Sequence, residues 1–207
     1  PYTKEEYFKK LKEFNLESYT SITKFKKEAR EFWYLFPSKY YHGIRNINSS
    51  GDMLDDTKNV KGSYWISQAQ DMRYCQFLYL GSSDSYDYTV WGNKSSWMYE
   101  CLTCGDEVSD LKFCFDCWPG SRGLEYCIGC HSSSDLFGCV GLKKKQYCIL
   151  NKQYSKEEYE KLRGEIVKHM QEMPYTDKRG RVYRYGEFFP SEFSPFAYNE
   201  TMLQDVR

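Results

Sequence analysis

Apolar residues recur with a helical spacing at both ends of the chain. Residues 3–14, 21–36 and 155–172 each place apolar side chains three to four positions apart, which predicts three amphipathic helices. Pro37 is expected to end the second helix. The inward side of the third helix is expected to consist of Tyr159, Leu162, Ile166, Val167 and Met170.

The first and third predicted helices begin with nearly the same six residues, at positions 2–7 and 154–159. Each copy has a hydroxyl residue, Thr3 or Ser155, followed three positions later by Glu, which is the pattern of a capping box. The second copy follows a cysteine-rich stretch, whereas the first opens the chain. We therefore expect this chain to be the C-terminal portion of a longer protein with further repeats upstream.

Between the helices, a cysteine or a tyrosine recurs at steps of thirteen positions and then of twelve. These positions are Cys75, Tyr88, Cys101, Cys114, Cys127 and Cys139. Three residues after each of them stand Leu78, Trp91, Cys104, Cys117, Cys130 and Leu142. A unit this short cannot bury its own apolar side, but stacked copies can. The repeat therefore predicts a parallel β-solenoid of about 12–13-residue units.

The size of one coil of this solenoid depends on where the aromatic rings go. A coil of a single unit has little room for rings inside, so we favour two units per coil, with Cys75, Cys101 and Cys127 in one column. Alternation along a strand would then place the second cysteine of each Cys-x-x-Cys pair in the core. The first cysteine would lie outside or at a bend.

The predicted fold class is mainly β with flanking α-helices. We divide the chain into an N-terminal helical segment (1–43), a Cys- and Tyr-rich solenoid (44–153), a capping helix (154–173) and an aromatic, proline-rich C-terminal strap (174–207). The open ends of a solenoid are exposed sheet edges. We expect the helices and the strap to cover them.

Charge and cysteine content limit the classes of partner and compartment. The chain has 29 Lys+Arg and 29 Asp+Glu, so no basic excess favours nucleic acid or an anionic membrane surface. No apolar run reaches the length of a membrane-spanning helix. Nine cysteines cannot all pair within one chain, which favours a reducing compartment and a cytoplasmic location.

The cysteine pairs have three interpretations: buried core thiols, metal ligands and disulfides. Read as metal ligands, they would form Cys-x2-Cys clusters able to hold structural zinc through Cys101, Cys104, Cys114, Cys117, Cys127 and Cys130. However, the same columns also hold Tyr88, Leu78, Trp91 and Leu142, and a leucine or tryptophan cannot replace a metal ligand. We therefore favour buried core thiols and no cofactor, with zinc as the alternative.

Other motifs indicate little chemistry. His131 next to Cys130 is expected to be a turn residue, and His42 and His169 have no partner visible in the sequence. Arg179, Arg181 and Arg184 interleave with tyrosines, a pattern that can bind single-stranded nucleic acid. No Walker loop, dinucleotide fingerprint or nucleophile elbow is present.

Residues 137–159, Gly186-Glu187-Phe188-Phe189-Pro190 and the stretch 194–201 resemble an uncharacterised family of cysteine-rich repeat proteins from candidate-phylum bacteria. With the repeat block, the likeness covers nearly the whole chain. The resemblance implies Cys-x-x-Cys zinc ribbons and another helix-plus-solenoid unit upstream, but no established activity. Tyr88 and Trp91 depart from the cysteine pattern of the repeat, which argues against a metal role for these columns.

The leading functional hypothesis is a non-enzymatic repeat scaffold or binding module. Its partner would be an unidentified protein or further repeats of its own longer chain. We expect no membrane partner. The alternatives are a structural zinc module with nucleic-acid contacts, and a thiol-dependent or carbohydrate-active solenoid enzyme. No catalytic residue is assigned.

Overall fold

The computed structural model describes residues 2–193, which belong to two compact units that meet between Tyr40 and Tyr41 in sequence. The first described unit is helical. The second contains a solenoid, a helix and a C-terminal strap. The part of the predicted strap from residue 194 onward lies outside the described residues.

The helical unit consists of α1 (Lys4–Glu13) and α2 (Tyr19–Trp33). Thr3 and Glu6 form the predicted capping box at the start of α1. The rings of Phe14 and Phe25 pack edge to face, with centroids 5.0 Å apart. Neither helix contains a buried residue, so the apolar stripes predicted from the sequence stay largely exposed in this unit.

The solenoid is an 11-stranded sheet in which successive strands are neighbours and run parallel up to the last pair. The strands are β1 (Gly43–Ile44), β2 (Gly51–Lys61), β3 (Ser63–Arg73), β4 (Gln76–Leu78), β5 (Ser83–Trp91), β6 (Ser96–Cys104), β7 (Ser109–Lys112), β8 (Arg122–Glu125), β9 (Ser134–Phe137), β10 (Gln146–Ile149) and β11 (Lys152–Gln153). The predicted parallel β-solenoid is confirmed.

One repeat unit makes one complete turn of the solenoid. Parallel pairing joins, in order, Asp52, Tyr64, Gln76, Thr89, Leu102, Phe115, Ile128 and Val140. The expectation of two units per coil is therefore wrong, and Cys101, Cys114 and Cys127 share a single column. The physical reason is that the rings predicted to need inner space lie mostly on the outside.

Every third residue of a turn points inward, and the residue before it has a left-handed backbone. In one turn, Asp110, Phe113 and Asp116 have φ values of 54°, 57° and 55°, and the buried residues Leu111, Cys114 and Cys117 directly follow them. Each left-handed residue bends the chain and resets the alternation of a flat strand. The first cysteine of each pair therefore lies at a bend, which was one of its two expected placements, and it points inward because the inward period is three rather than two.

Four inward columns fill the core of the solenoid, mainly with Cys, Ser and aliphatic side chains. Tyr88 is the one aromatic side chain among the described residues of that core. Phe113 is also buried, but from the outside, because its ring contacts those of Tyr99, Tyr126 and Tyr185. A narrow coil is thus compatible with an aromatic-rich sequence.

The predicted capping helix, α3 (Lys156–Glu172), begins at the capping box of Ser155 and Glu158. It packs against side chains on a lateral side of the last turns, chiefly Phe137 and Ile149. The last strand, β11, turns back antiparallel to β10. Beyond α3, β12 (Tyr175–Thr176) and β13 (Val182–Tyr183) form a small hairpin, and Ser191–Phe193 forms a 3-10 turn.

Buried Glu125 connects α3 and the strap to the solenoid. Its two carboxylate oxygens accept hydrogen bonds from the Arg163 guanidinium at 2.6 Å and from the Tyr185 hydroxyl at 3.1 Å. The aromatic strap therefore lies along the lateral side of the solenoid, at least as far as Phe189, whose ring packs on Tyr126.

Candidate functional site

All nine cysteines are free and buried. The six residues of the zinc hypothesis occupy two adjacent inward columns in three consecutive turns. Cys101, Cys114 and Cys127 lie in the first column, and Cys104, Cys117 and Cys130 lie in the second. The structure thus brings the predicted metal candidates together, with both members of each pair inside.

Each of these thiols hydrogen-bonds to backbone carbonyls. The sulfur of Cys101 lies 3.3 Å from the carbonyl oxygens of both Tyr99 and Leu111. The sulfur of Cys114 lies 3.3 Å and 3.4 Å from the carbonyl oxygens of Lys112 and Leu124. A carbonyl oxygen accepts a hydrogen bond from a neutral S–H group but repels a thiolate. The surroundings therefore favour protonated thiols.

Inward serines make the same contacts. The Ser63 hydroxyl donates to the carbonyl of Lys61 and accepts from the N–H of Cys75, the next residue in its column. Cys104 likewise donates to the Leu102 carbonyl and accepts from the N–H of Cys117. Cysteine and serine are thus alternative ways to satisfy the backbone at a bend, and cysteine adds apolar packing.

Burial and contacts between neighbouring thiols both shift the pKa of several cysteines. Burial raises the pKa of Cys75 to about 11 and is the main cause of the raised pKa of Cys114. The pKa of Cys130 is raised to about 11, chiefly by its hydrogen bond with Cys117. Cys101 is the exception: burial raises its pKa, but hydrogen bonds from Cys104 and Cys114 outweigh burial and lower the pKa.

The cysteine columns are poorly arranged for a metal. Among the described residues, no three or more His, Cys, Asp or Glu side chains form a group that could hold an ion. A zinc site would also need several thiolates at sulfurs that face carbonyl oxygens. The geometry therefore gives the zinc alternative no support.

A different feature distinguishes four consecutive turns. Between successive turns, Ile66 pairs with Leu78 and Gln70 pairs with Ser83. Three residues lie between Ile66 and Gln70, but four lie between Leu78 and Ser83. The extra residue recurs in the turns that follow, and we call these the longer turns. We call residues 79–81, 92–94, 105–107 and 118–120 the bulged face.

The bulged face keeps a regular hydrogen-bond ladder. The N–H groups of Lys94, Glu107 and Gly120 donate to the carbonyls of Leu80, Asn93 and Asp106 at 2.9, 3.0 and 2.9 Å. The extra residues are therefore fixed in register from turn to turn. Side chains carried on such a ladder are held before any ligand arrives.

Trp91 stands in the second inward column by register, between Leu78 and Cys104, but its side chain is 56% exposed. Its φ of 95° turns the residue away from the core, and Tyr88 fills the interior, with its hydroxyl donating to the Cys104 carbonyl. The expectation that Trp91 is a core position is therefore wrong. The indole lies over Gly105, where a Cβ atom would collide with the ring.

A pocket of about 570 Å³ opens beside Trp91 on this side of the solenoid. Most of its lining is apolar, and the polar side-chain groups are one amide, one carboxylate and the hydroxyl of Tyr79. The lining residues are Phe77, Tyr79, Leu80, Val90, Trp91, Asn93 and Asp106. Apolar walls with a few fixed polar groups are typical of small-molecule sites.

The polar edge of the pocket is ordered by hydrogen bonds. The Asn93 amide donates to Oδ1 of Asp106 at 2.8 Å. The neighbouring Glu107 pairs instead with Lys94, at 3.1 Å. Beyond Gly105, the indole of Trp118 lies nearly parallel to that of Trp91, with an interplanar angle of 14° and centroids 6.5 Å apart.

Other residues singled out from the sequence have local partners. The Nδ1 of His131 lies 2.5 Å from the Trp118 carbonyl, and His42 contacts Asp52. Arg181 pairs with buried Asp177 at 2.8 Å, which leaves less of the strap's basic charge for nucleic acid.

The sequence interpretation missed the pocket. Its signal was present in the longer repeat step of these turns, and in the glycines Gly92 and Gly105 that follow the second column. A lengthened turn with a glycine beside an out-of-place tryptophan indicates a ring lying against the backbone.

No family model and no curated protein matches the chain. The resemblance to the cysteine-rich repeat family therefore stays a prediction. Within residues 2–193, none of the helices has the length and apolar character that crossing a bilayer requires. The geometry of this chain is the basis for the function proposed below.

Proposed function

We propose that this protein is a non-enzymatic repeat scaffold that acts as a binding module, with the bulged face as its binding surface. The observation that carries this proposal is the aromatic pocket beside Trp91, whose walls are exposed and partly exposed side chains on a hydrogen-bonded ladder. Exposed apolar patches on a folded surface mark interaction sites.

The distribution of reactive groups supports a binding role over a thiol-dependent enzyme. All nine thiols are buried, and the six in the paired columns hydrogen-bond to backbone carbonyls. A nucleophilic thiol needs a low pKa together with access to substrate. Cys101 has the lowered pKa, but its side chain is 2% exposed.

A ligand panel tests the binding role. Ligand-detected NMR with neutral sugars, organic cations, carboxylates and short peptides would be run on the full chain, on Trp91→Ala and on the matched control Trp97→Ala. Trp97 is also exposed but lies outside the pocket lining. We expect at least one class to bind the full chain and Trp97→Ala but not Trp91→Ala. Binding of no class, or binding unaffected by Trp91→Ala, would overturn the proposal.

The zinc alternative makes a different prediction for protein purified without added metal. A scaffold with core thiols should contain no stoichiometric zinc, and its nine thiols should react with a disulfide reagent only after unfolding. One or more zinc ions per chain, released together with reactive thiols by a chelator, would favour the zinc module instead.

A further inference from the structure

Three aromatic side chains and one carboxylate meet at the pocket on the bulged face. Phe77, Tyr79 and Trp91 provide the rings, and Asp106 is the one charged residue among the described residues that line the cavity. This combination of π-faces and a negative charge is suited to a particular chemical class of ligand.

We propose that this pocket binds an organic cation bearing an alkylated ammonium group. The inference rests on the binding function proposed above and names the ligand class of that same site. Ammonium groups with alkyl substituents bind to aromatic faces through the ring quadrupole, and their methyl groups bury apolar surface at the same time. The mostly apolar lining supplies that surface.

The charge of the pocket favours a cation over a neutral ligand. Asp106 is held by the neutral amide of Asn93, which fixes Oδ1 without cancelling the charge. Lys94, the one lysine of the bulged face, is paired with Glu107 instead. A second acid, Asp116, accepts a hydrogen bond from the Trp118 indole nitrogen at 2.9 Å. The charged residues of the bulged face are Lys94, Asp106 and Glu107, so the face has a net negative charge beside its exposed rings, and Asp116 adds a further negative charge next to it.

The position of the Trp91 ring is fixed by the fold. The indole lies over Gly105, near the Trp118 ring, and the backbone beneath it is part of the ladder between turns. A ring held in this way loses little conformational freedom when a ligand binds. Trp91 and Asp106 are therefore the two residues on which affinity should depend most.

The test uses choline and its uncharged isostere 3,3-dimethyl-1-butanol, titrated into the full chain and followed by NMR. We expect choline to bind at least about tenfold more tightly than the isostere, which corresponds to about 1.4 kcal/mol. Asp106→Asn, which keeps the shape and the Asn93 contact, should weaken choline binding about five- to tenfold. Asp135→Asn removes a charge outside the pocket lining and should leave choline binding unchanged.

The outcomes separate this inference from the proposed function. Equal binding of choline and the isostere, or an Asp106→Asn variant that binds choline normally, would overturn the cation inference. A Trp91-dependent sugar or peptide from the panel, with no choline binding, would overturn it while leaving the binding function intact. Binding of no probe at all would overturn both.

Discussion

The shorter and the longer turns of the solenoid differ by one residue on one side. In the shorter turns, at residues 51–75 and again from Cys127 to Cys139, each side has the same length and the outer surface follows the ladder closely. In the longer turns between them, the extra residue forms the bulged face and the aromatic pocket. A solenoid can thus add a surface pocket by lengthening one side while its core columns keep their register.

The second inward column of the core also differs between the shorter and the longer turns. In the shorter turns, the second column holds small or aliphatic residues such as Leu54 and Ile66. In the longer turn that begins at Tyr88, the residue in that column is Trp91, and its ring lies outside. The interior is filled from the neighbouring column by Tyr88, which is fully buried. The core and the pocket are therefore linked by Tyr88, which fills the interior, and Trp91, which lines the pocket three positions later.

The largest expected effect follows from replacing Tyr88. Tyr88→Ala should lower the free energy of unfolding by about 4 kcal/mol, because it leaves a cavity that the exposed Trp91 cannot fill. Trp91→Ala should cost about 0.5 kcal/mol or less, because the indole is mostly outside the core. Urea unfolding of both variants measures the contrast. Equal losses of unfolding free energy in the two variants would mean that the Tyr88 and Trp91 rings both lie in the core, which would contradict this account.

Alkaline pH should remove the stabilising contribution of two buried thiols, Cys75 and Cys130. The pKa values of Cys75 and Cys130 are raised in the folded protein from an ordinary 9.0 to about 11, so the unfolded chain loses protons first. Their stabilising contribution is complete below pH 9 and is lost as the pH rises to about 11. At pH 10 we expect a loss of about 1 kcal/mol for each thiol relative to pH 7.

Urea unfolding at several pH values, with Cys130→Ser as a control that removes one of the two thiols, measures this loss. Zinc-bound thiolates would give the opposite sign, because acid protonates them and releases the metal. A protein that is stable at pH 10 but unfolds between pH 6 and 4 with loss of zinc would contradict the core-thiol account.

Substitution of Cys114 tests the role of the thiol as a hydrogen-bond donor. Cys114→Ala removes the donor to the Lys112 and Leu124 carbonyls and should cost about 2 kcal/mol. Cys114→Ser keeps a donor and should cost about half as much. Thermal unfolding compares the two, and a serine variant less stable than the alanine variant would show that the carbonyl contacts contribute little.

A small effect on stability, but a clear effect on the site, is expected for Gly105→Ala. The new Cβ would collide with the Trp91 indole, so the ring must move. We expect a loss of about 1 kcal/mol or less, a shift in tryptophan fluorescence and weaker choline binding. Unchanged fluorescence and binding would mean that the indole does not rest on this glycine.

The sequence was sufficient to predict the repeat, the parallel solenoid and the helices, because these depend on spacing alone. The capping boxes at Thr3 and Ser155 were found in the same way. Two details of the coil geometry were wrong, and so was the core placement of Trp91. Strand alternation failed because left-handed residues such as Phe113 precede each inward position, and the doubled coil failed because aromatic rings lie outside it.

The pocket could not be predicted from residue types, because Trp91 occupies an inward position in the repeat and leaves the core only through its backbone conformation. The longer repeat step marked the place but not the direction of the extra residue. The direction in which the extra residue points depends on which side of the turn contains it. Packing between neighbouring turns determines that side.

Mapping of choline binding by amide chemical shifts on the isotopically labelled full chain tests the central claim most directly. The account predicts that the shifted amides cluster in residues 77–81, 90–94 and 105–107. Shifts centred on the strap or on the shorter turns, with the bulged face unaffected, would contradict it.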